Sequence, residues 1–190
     1  MKAGVLALQG AFREHAEVLD ALGVDVVEVR APDHLAAVDV LFLPGGESTT
    51  MGKLLVSSGL LDPMRERLEH GLPAFGTCAG LILLAGAVDG GRPDQPSFGV
   101  LDISVERNAY GSQLESFETD LAIDELGADP FPGVFIRAPV VERTGPDVTV
   151  AARHDGRPVL VRQGSVWAST FHPELSGDLR LHRRFLGEQT

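Results

Sequence analysis

The sequence predicts an α/β fold: a mixed, mostly parallel sheet with helices on both faces and a nucleophile elbow at its edge. Three observations predict it. Short apolar runs alternate with segments of helical period through the first half of the chain, and such repeats build parallel sheets. Three of those runs end in Gln9-Gly10, Pro44-Gly45-Gly46 and Gly76-Thr77-Cys78-Ala79-Gly80, so three turns can meet at the carboxyl edge of one sheet, where such sheets bind ligands. Residues 97–171 carry many strand signals and few helical ones, which predicts an antiparallel extension of the same sheet.

Each element has its own signal. Residues 5–8 form an apolar run closed by Gly10, and Phe12, His15, Ala16, Val18, Leu19 and Leu22 then recur at helical spacing up to Gly23. Residues 24–29 are a β-branched run, and residues 38–43 are a second buried strand ending at Pro44. Helical sequence covers residues 51–55 and 61–68, before a strand over 72–77 and a helix from Leu81. Residues 86–96, rich in Gly, Asp and Pro, read as a flexible loop. Residues 165–171 form a last strand, stopped by Pro173.

Composition narrows the function. At 190 residues and 44% hydrophobic, the chain is expected to be one globular domain over residues 1–190 with an ample core. A formal net charge of −11, with no Lys or Arg cluster, argues against nucleic acid and against anionic membrane surfaces, which need a positive face. One cysteine allows no intrachain disulfide, and the short apolar run at the N-terminus reads as a first strand, not as a signal peptide or a membrane span. A soluble, cytoplasmic protein is expected.

The chemistry centres on Cys78. Small residues on both sides, a strand before and a helix after, make a turn that holds the nucleophile in a strained backbone position with its sulfur exposed. The following helix directs its first N–H groups at the sulfur, which favours thiolate. A cysteine nucleophile needs a base and a group to orient that base. His172 stands at a strand end, and Glu174, two residues on, points to the same side if the chain stays extended across Pro173. The loop Gly45-Gly46-Glu47-Ser48-Thr49 follows a buried strand. Its glycines expose backbone N–H groups, and Ser48 or Thr49 can cap the next helix. The N–H groups around Gly46 and of Ala79 are candidate oxyanion donors. The Lys of a phosphate loop is missing ahead of Ser48, and Glu47 suits an ammonium group instead of a phosphate.

Taken in order, Leu8-Gln9-Gly10 with Glu14-His15, Gly45-Gly46-Glu47-Ser48-Thr49, Gly76-Thr77-Cys78-Ala79-Gly80, Glu106-Arg107-Asn108, Ser116-Phe117-Glu118, Phe135-Ile136-Arg137-Ala138-Pro139 and Phe171-His172-Pro173-Glu174-Leu175 resemble the PdxT family. Its members are the glutaminase subunits of pyridoxal 5′-phosphate synthase, class I triad-type glutamine amidotransferases. The elbow and the His-Pro-Glu segment are common to triad amidotransferases; the Gly-Gly-Glu-Ser-Thr, Glu-Arg-Asn and Phe-Ile-Arg-Ala-Pro segments point to this subfamily. Ser112 departs from the basic residue expected there in many relatives.

The resemblance implies the three-layer class I amidotransferase fold and hydrolysis of L-glutamine to glutamate and ammonia. It implies Cys78 as nucleophile, His172 as base then acid, and Glu174 as the orienting carboxylate. Glutamine contacts are implied for Gly46, Glu47, Ser48, Arg107, Ile136 (through its backbone) and Arg137. A zwitterionic substrate wants a guanidinium and a carboxylate at fixed separation, so these residue types make sense. No metal or organic cofactor is implied, and a single Cys with dispersed histidines offers no ligand cluster. The implied partner is a (β/α)8-barrel synthase subunit, since free ammonia would be protonated and lost in water. Docking is expected to stimulate weak basal activity by fixing a flip of the Gly45–Gly46 peptide through Gln9-Gly10. Two alternatives stay open at this point: a glutaminase subunit of another pathway, such as imidazole glycerol phosphate synthase, and a non-enzymatic Cys-elbow chaperone-like protein. His34, His70, His154 and His182 are expected at the surface or at helix ends, and His15 is a candidate for facing the partner.

Overall fold

The computed structural model describes residues 1–90, 95–107 and 116–189. The chain opens with β1 (Lys2–Leu6), α1 (Phe12–Ala21), β2 (Asp25–Val29), α2 (Pro32–Ala36) and β3 (Val40–Leu43). Helices α3 (Ser48–Ser57) and α4 (Leu61–Glu69) lead to β4 (Ala74–Thr77), and Cys78 alone separates β4 from α5 (Ala79–Leu84). Then come β5 (Ala85–Asp89), β6 (Leu101–Glu106), β7 (Ser116–Leu121), β8 (Phe131–Ile136), β9 (Val140–Thr144), β10 (Thr149–His154), β11 (Arg157–Gln163) and β12 (Val166–Ser169). A 3-10 turn over Pro173–Leu175 precedes α6 (Arg180–Gly187).

The main sheet has seven strands in the order β10-β11-β12-β4-β3-β1-β2. Strands β2, β1, β3, β4 and β12 run parallel, while β11 pairs antiparallel with both β12 and β10. The central strands β3 and β4 are buried along their whole length, as expected where helices cover both faces of a parallel sheet. Alternate residues of β3 serve opposite layers. Leu41 and Leu43 pack with Met51, Leu55 and Leu83 on one side, and Val40 and Phe42 pack with Leu19, Phe75 and Phe185 on the other. Each such side chain contributes roughly 1.5–3 kcal/mol on burial. Among the described residues no helix is long and apolar enough to cross a membrane.

Two expectations need correction, and one helix is new. The strand-rich second half does not extend one sheet. Among the described residues of that half only β10, β11 and β12 join the main sheet, and β12 does so parallel to β4. Strands β5, β6 and β9 form a separate sheet, and β7 with β8 forms a ribbon. The reason lies in α5, whose six residues are all buried: its outer side needs a cover, and Ile103, Val105 and Val141 join the same apolar cluster as Leu83 and Leu84. Residues 86–89, expected in a loop, belong to β5; a Cβ on Gly86 would lie 3.1 Å from the Leu101 carbonyl oxygen, so glycine permits the strands to approach. Helix α2 was not foreseen, although Pro32 at its start and Asp33 in its first turn are good helix-opening residues. Residues 91–94, Asn108 and Ser112 lie outside the described residues.

Candidate active site

Cys78 connects β4 to α5 with φ 51 and ψ −101, a region that L-residues occupy at about 1–3 kcal/mol of strain. Its backbone N–H donates to Ser169 O (2.8 Å) and its carbonyl accepts from Ile82 N–H (3.2 Å), tying the turn to β12 and to the first turn of α5. Close approach dictates the flanking glycines. A Cβ at Gly80 would stand 2.0 Å from the Leu43 carbonyl oxygen, and one at Gly76 would stand 2.7 Å from the Gly80 backbone.

His172 follows β12 at the same sheet edge, with its N–H donating to Val134 O at 2.8 Å. The chain does not remain extended beyond it, because Pro173 opens a 3-10 turn. Glu174 nonetheless reaches back, and its Oε1 accepts from His172 Nδ1 at 2.8 Å. The turn curls the carboxylate beneath the imidazole, where its side chain has no exposed surface. With Nδ1 committed to Glu174, the other ring nitrogen is left for Cys78, which lines the same cleft and acts electrostatically on the ring. Burial alone would lower the His172 pKa. The influence of Cys78 and the hydrogen bond and charge of Glu174 outweigh it and raise the pKa to about 10. Burial likewise opposes ionisation of Glu174, but the neighbouring His15 and the bond from His172 outweigh it and hold the pKa below the usual carboxylate value. The imidazolium form therefore prevails at neutral pH.

The glycine loop after β3 packs against this pair. A Cβ at Gly45 would lie 2.2 Å from His172 Cε1. The Gly45 carbonyl accepts from Ala11 N–H at 2.9 Å, and in a trans peptide the Gly46 N–H then points the opposite way. Gln9 Oε1 accepts from Glu47 N–H at 2.9 Å, and a Cβ at Gly10 would come within 1.9 Å of Gly45 O. The Gln9-Gly10 and Gly45-Gly46 turns thus interlock.

Glu47, not Ser48 or Thr49, caps α3: its carboxylate accepts from Thr49 N–H (3.0 Å) and Thr50 N–H (2.7 Å). Partial burial opposes ionisation, but these bonds and the Thr50 hydroxyl lower its pKa to about 2. Arg107 spans the loop, donating to Glu47 Oε1 (3.1 Å), Thr49 Oγ1 (2.9 Å) and Gln95 Oε1 (2.5 Å).

These elements surround a cleft of about 720 Å³ into which Gly46, Glu47, Ser48, Cys78, Arg107, Ile136, Arg137 and His172 open. Glu174 lies behind His172, and Ala79 is the buried first residue of α5. The Ile136 carbonyl is 3.9 Å from Cys78 Sγ, and Arg137 adopts φ 45 beside it. The expected site residues therefore converge on one place.

Sequence reasoning missed several neighbours. Gln95, whose amide also donates to Ser48 Oγ at 3.2 Å, sits in a segment read as loop, where no motif marks it. His182 is fully buried, against expectation, because α6 turns Leu181, His182, Phe185 and Leu186 inward. His15 is equally buried and does not face outward; its helical spacing with Val18 and Leu19 was the signal. Among the described residues no group of three or more His, Cys, Asp or Glu side chains is arranged to hold a metal ion.

Comparison with known proteins agrees with this geometry. The model of the SNO glutamine amidotransferase family matches residues 5–190. The pyridoxal 5′-phosphate synthase subunit PdxT of Roseiflexus sp. (strain RS-1) is 56% identical over 187 residues, covering 98% of this chain and 99% of that protein. The subunit of the same name from Thermotoga neapolitana is 54% identical, covering 98% of each. A crystal structure of a glutamine amidotransferase superposes with a TM-score of 0.91 at 55% identity, covering 98% of both chains. The structure of PurLQS from Thermotoga maritima shares the fold at a TM-score of 0.69 and 19% identity, over 100% of this chain and 99% of that one. The chain belongs to the SNO glutamine amidotransferase family.

Proposed function

We propose that this chain is the glutaminase subunit of a pyridoxal 5′-phosphate synthase, hydrolysing L-glutamine at Cys78 and passing the ammonia to a (β/α)8-barrel synthase subunit. Family membership and relatives above 50% identical over nearly the whole chain support the activity and the pathway. The observation that carries the residue roles is the buried His172–Glu174 bond of 2.8 Å, whose imidazole shares the cleft with Cys78.

In this scheme the Cys78 sulfur, as thiolate beside the His172 imidazolium, attacks the side-chain amide carbon of glutamine. The negative oxygen that develops is held by the Ala79 N–H and an N–H from the Gly46 peptide, fixed donors aimed at charge that appears only in the tetrahedral intermediate. His172 gives its proton to the departing nitrogen and ammonia leaves. The neutral imidazole then takes a proton from water, whose oxygen attacks the γ-glutamyl thioester; collapse returns the sulfur to thiolate and releases glutamate. Glu174 keeps Nδ1 protonated and aimed. Arg107, Arg137, Glu47, Ser48 and the Ile136 backbone hold the α-ammonium and α-carboxylate ends. Glu47 is already the cap of α3 and the partner of Arg107, so the arriving ammonium shares a carboxylate whose geometry is set beforehand.

Partner control fits the interlocked turns. The Gly45 carbonyl is held by Ala11 N–H, and a synthase seated on the Gln9–Ala11 segment would release it and let the flexible glycine peptide turn a donor toward the substrate. The test is glutamate release from glutamine by the purified chain, alone and with the synthase subunit. Strong stimulation is expected, with most of the ammonia consumed by the complex. Equal rates with and without the synthase would remove the gating, and no glutamate in either arm would remove the activity.

A further inference from the structure

Behind the candidate triad lies a second set of buried polar groups that the reaction scheme leaves unused. Glu174 has two carboxylate oxygens. Oε1 takes the bond from His172 and a longer one from the Thr77 hydroxyl at 3.4 Å. Among the described residues Oε2 is buried with no hydrogen-bond partner, and His15 Nε2 lies 3.5 Å from it. The same His15 nitrogen lies 3.1 Å from Thr77 Oγ1. On the far side of its ring, His15 Nδ1 meets His182 Nε2 at 3.1 Å. All of His15, Thr77 and His182 are fully buried, under Phe42, which stacks on His182 with ring centroids 5.7 Å apart.

Donor bookkeeping selects one arrangement of protons. A buried carboxylate requires donors on both oxygens, or it takes up a proton. If His15 carried its proton on Nδ1, its Nε2 lone pair would face Glu174 Oε2, and His182 would have to bury a donor on Nδ1, which has no partner. With the proton on His15 Nε2, that N–H lies between Thr77 Oγ1 and Glu174 Oε2, and the Thr77 hydroxyl donates to Oε1. His15 Nδ1 then accepts from His182 Nε2–H, and the unpartnered His182 Nδ1 carries no proton. Burial keeps both rings neutral, lowering the His15 pKa against the opposing pull of Glu174 and lowering that of His182 to about 3. The titratable groups acting on His15 are Glu174, His172, His182 and Glu14 of its own helix.

We propose that His15 is a positioning residue for the glutaminase reaction: held by His182, its Nε2–H keeps the Glu174 carboxylate ionised and aimed, and through Glu174 it keeps the His172–Cys78 ion pair formed. This rests on the triad assignment given under Proposed function, so its readout is chosen to need neither glutamine nor synthase. Cys78 is the only cysteine, and its alkylation by iodoacetamide reports the thiolate directly.

The test compares His15→Gln, whose amide nitrogen takes the place of Nε2, with His15→Asn, whose amide nitrogen takes the place of Nδ1. H15Q should alkylate at pH 6 within about twofold of wild type, and H15N about tenfold more slowly, the size of one pH unit in the ion-pair population. The same order should appear in kcat/KM with the synthase present, with the H15N pH profile narrowed. H182Q against H182F provides a second pair should H15N not fold. H182F preserves the stacking on Phe42 but withdraws the donor to His15 Nδ1, and should slow alkylation while H182Q does not. Coincident alkylation profiles within each pair, whether both unmoved or both equally slowed, would overturn the proposal. Those results stand apart from the glutaminase reading, which fails only if wild type releases no glutamate.

Discussion

Gly45→Ala is the sharpest test of how the imidazole is held. Gly45 does not need positive φ, so alanine suits its backbone, and the obstacle is contact alone. The added Cβ would stand 2.2 Å from His172 Cε1, where ordinary contact begins at 3.4 Å, so one side must yield by about 1.2 Å. If the ring yields, Nδ1 shifts relative to Glu174, and the 2.8 Å bond has only a few tenths of an ångström of slack before it leaves hydrogen-bond range. If the loop yields instead, the Gly45 carbonyl leaves Ala11 N–H, now 2.9 Å away. Either displacement is on the ångström scale that lowers a catalysed rate by about 100-fold. The assay is glutamate release at saturating glutamine with the synthase present, beside a thermal melt of each protein. Gly187→Ala, whose Cβ would meet nothing within 4 Å, serves as the control and should change neither. A G45A protein that melts like wild type and retains more than a third of its kcat would refute the reasoning.

Other outcomes follow from the same contacts. Cys78→Ala should bind glutamine and form no thioester by mass spectrometry, with turnover below about a thousandth of wild type; residual turnover above that level counts against the nucleophile. Glu174→Gln should lower the His172 pKa from about 10 and draw the alkaline limb of kcat/KM to lower pH. The sign for stability follows from both groups. The raised His172 contributes fully below its ordinary 6.5 and loses that contribution as pH rises toward 10, while the lowered Glu174 contributes above its ordinary 4.5 and loses it as pH falls further. The wild-type advantage in chemical denaturation over E174Q should therefore be largest between pH 4.5 and 6.5, and a difference that instead grows toward pH 10 contradicts the pairing. Glu47→Ala removes the α3 cap and should destabilise by about 1 kcal/mol while raising KM for glutamine; an unchanged KM would confine Glu47 to capping. Gly80→Ala, with its Cβ 2.0 Å from a backbone oxygen of β3, should lower the melting temperature far more than G45A does.

What the sequence disclosed, and what it hid, divides along physical lines. The three turns at the sheet edge were legible because each is punctuated by glycines that a tight turn requires, and the parallel core was legible because doubly covered strands are continuous apolar runs. The Glu174 pairing was anticipated for the wrong geometry. Side-chain parity two residues apart holds in a strand, yet the carboxylate arrives through a 3-10 turn. His182 was misjudged because Arg180, Arg183 and Arg184 surround it in sequence, while the inward set of 181, 182, 185 and 186 becomes visible only once α6 has a face to pack on. The division of the second half into a sheet and a ribbon was illegible for a deeper reason: alternation marks a strand but not its partner, and the partner was fixed by the need to cover α5.

The two sides of the cleft differ in how firmly they are held, and that difference bears on control by a partner. Cys78, His172 and Glu174 are fixed by backbone bonds to β12 and β8, by glycine contacts with no room to spare, and by side chains with almost no exposed surface. The Gly45–Gly46 turn meets the Gln9–Ala11 segment through two hydrogen bonds at the rim, one to a side chain that borders the cleft. A surface docking near Gln9 would thus act on the oxyanion donor while leaving Cys78 and His172 in place. In the proposed scheme this places regulation on transition-state stabilisation and not on formation of the nucleophile. The reactive pair can then be assembled in advance without wasting glutamine, because an attack whose oxyanion finds no donor rarely goes forward.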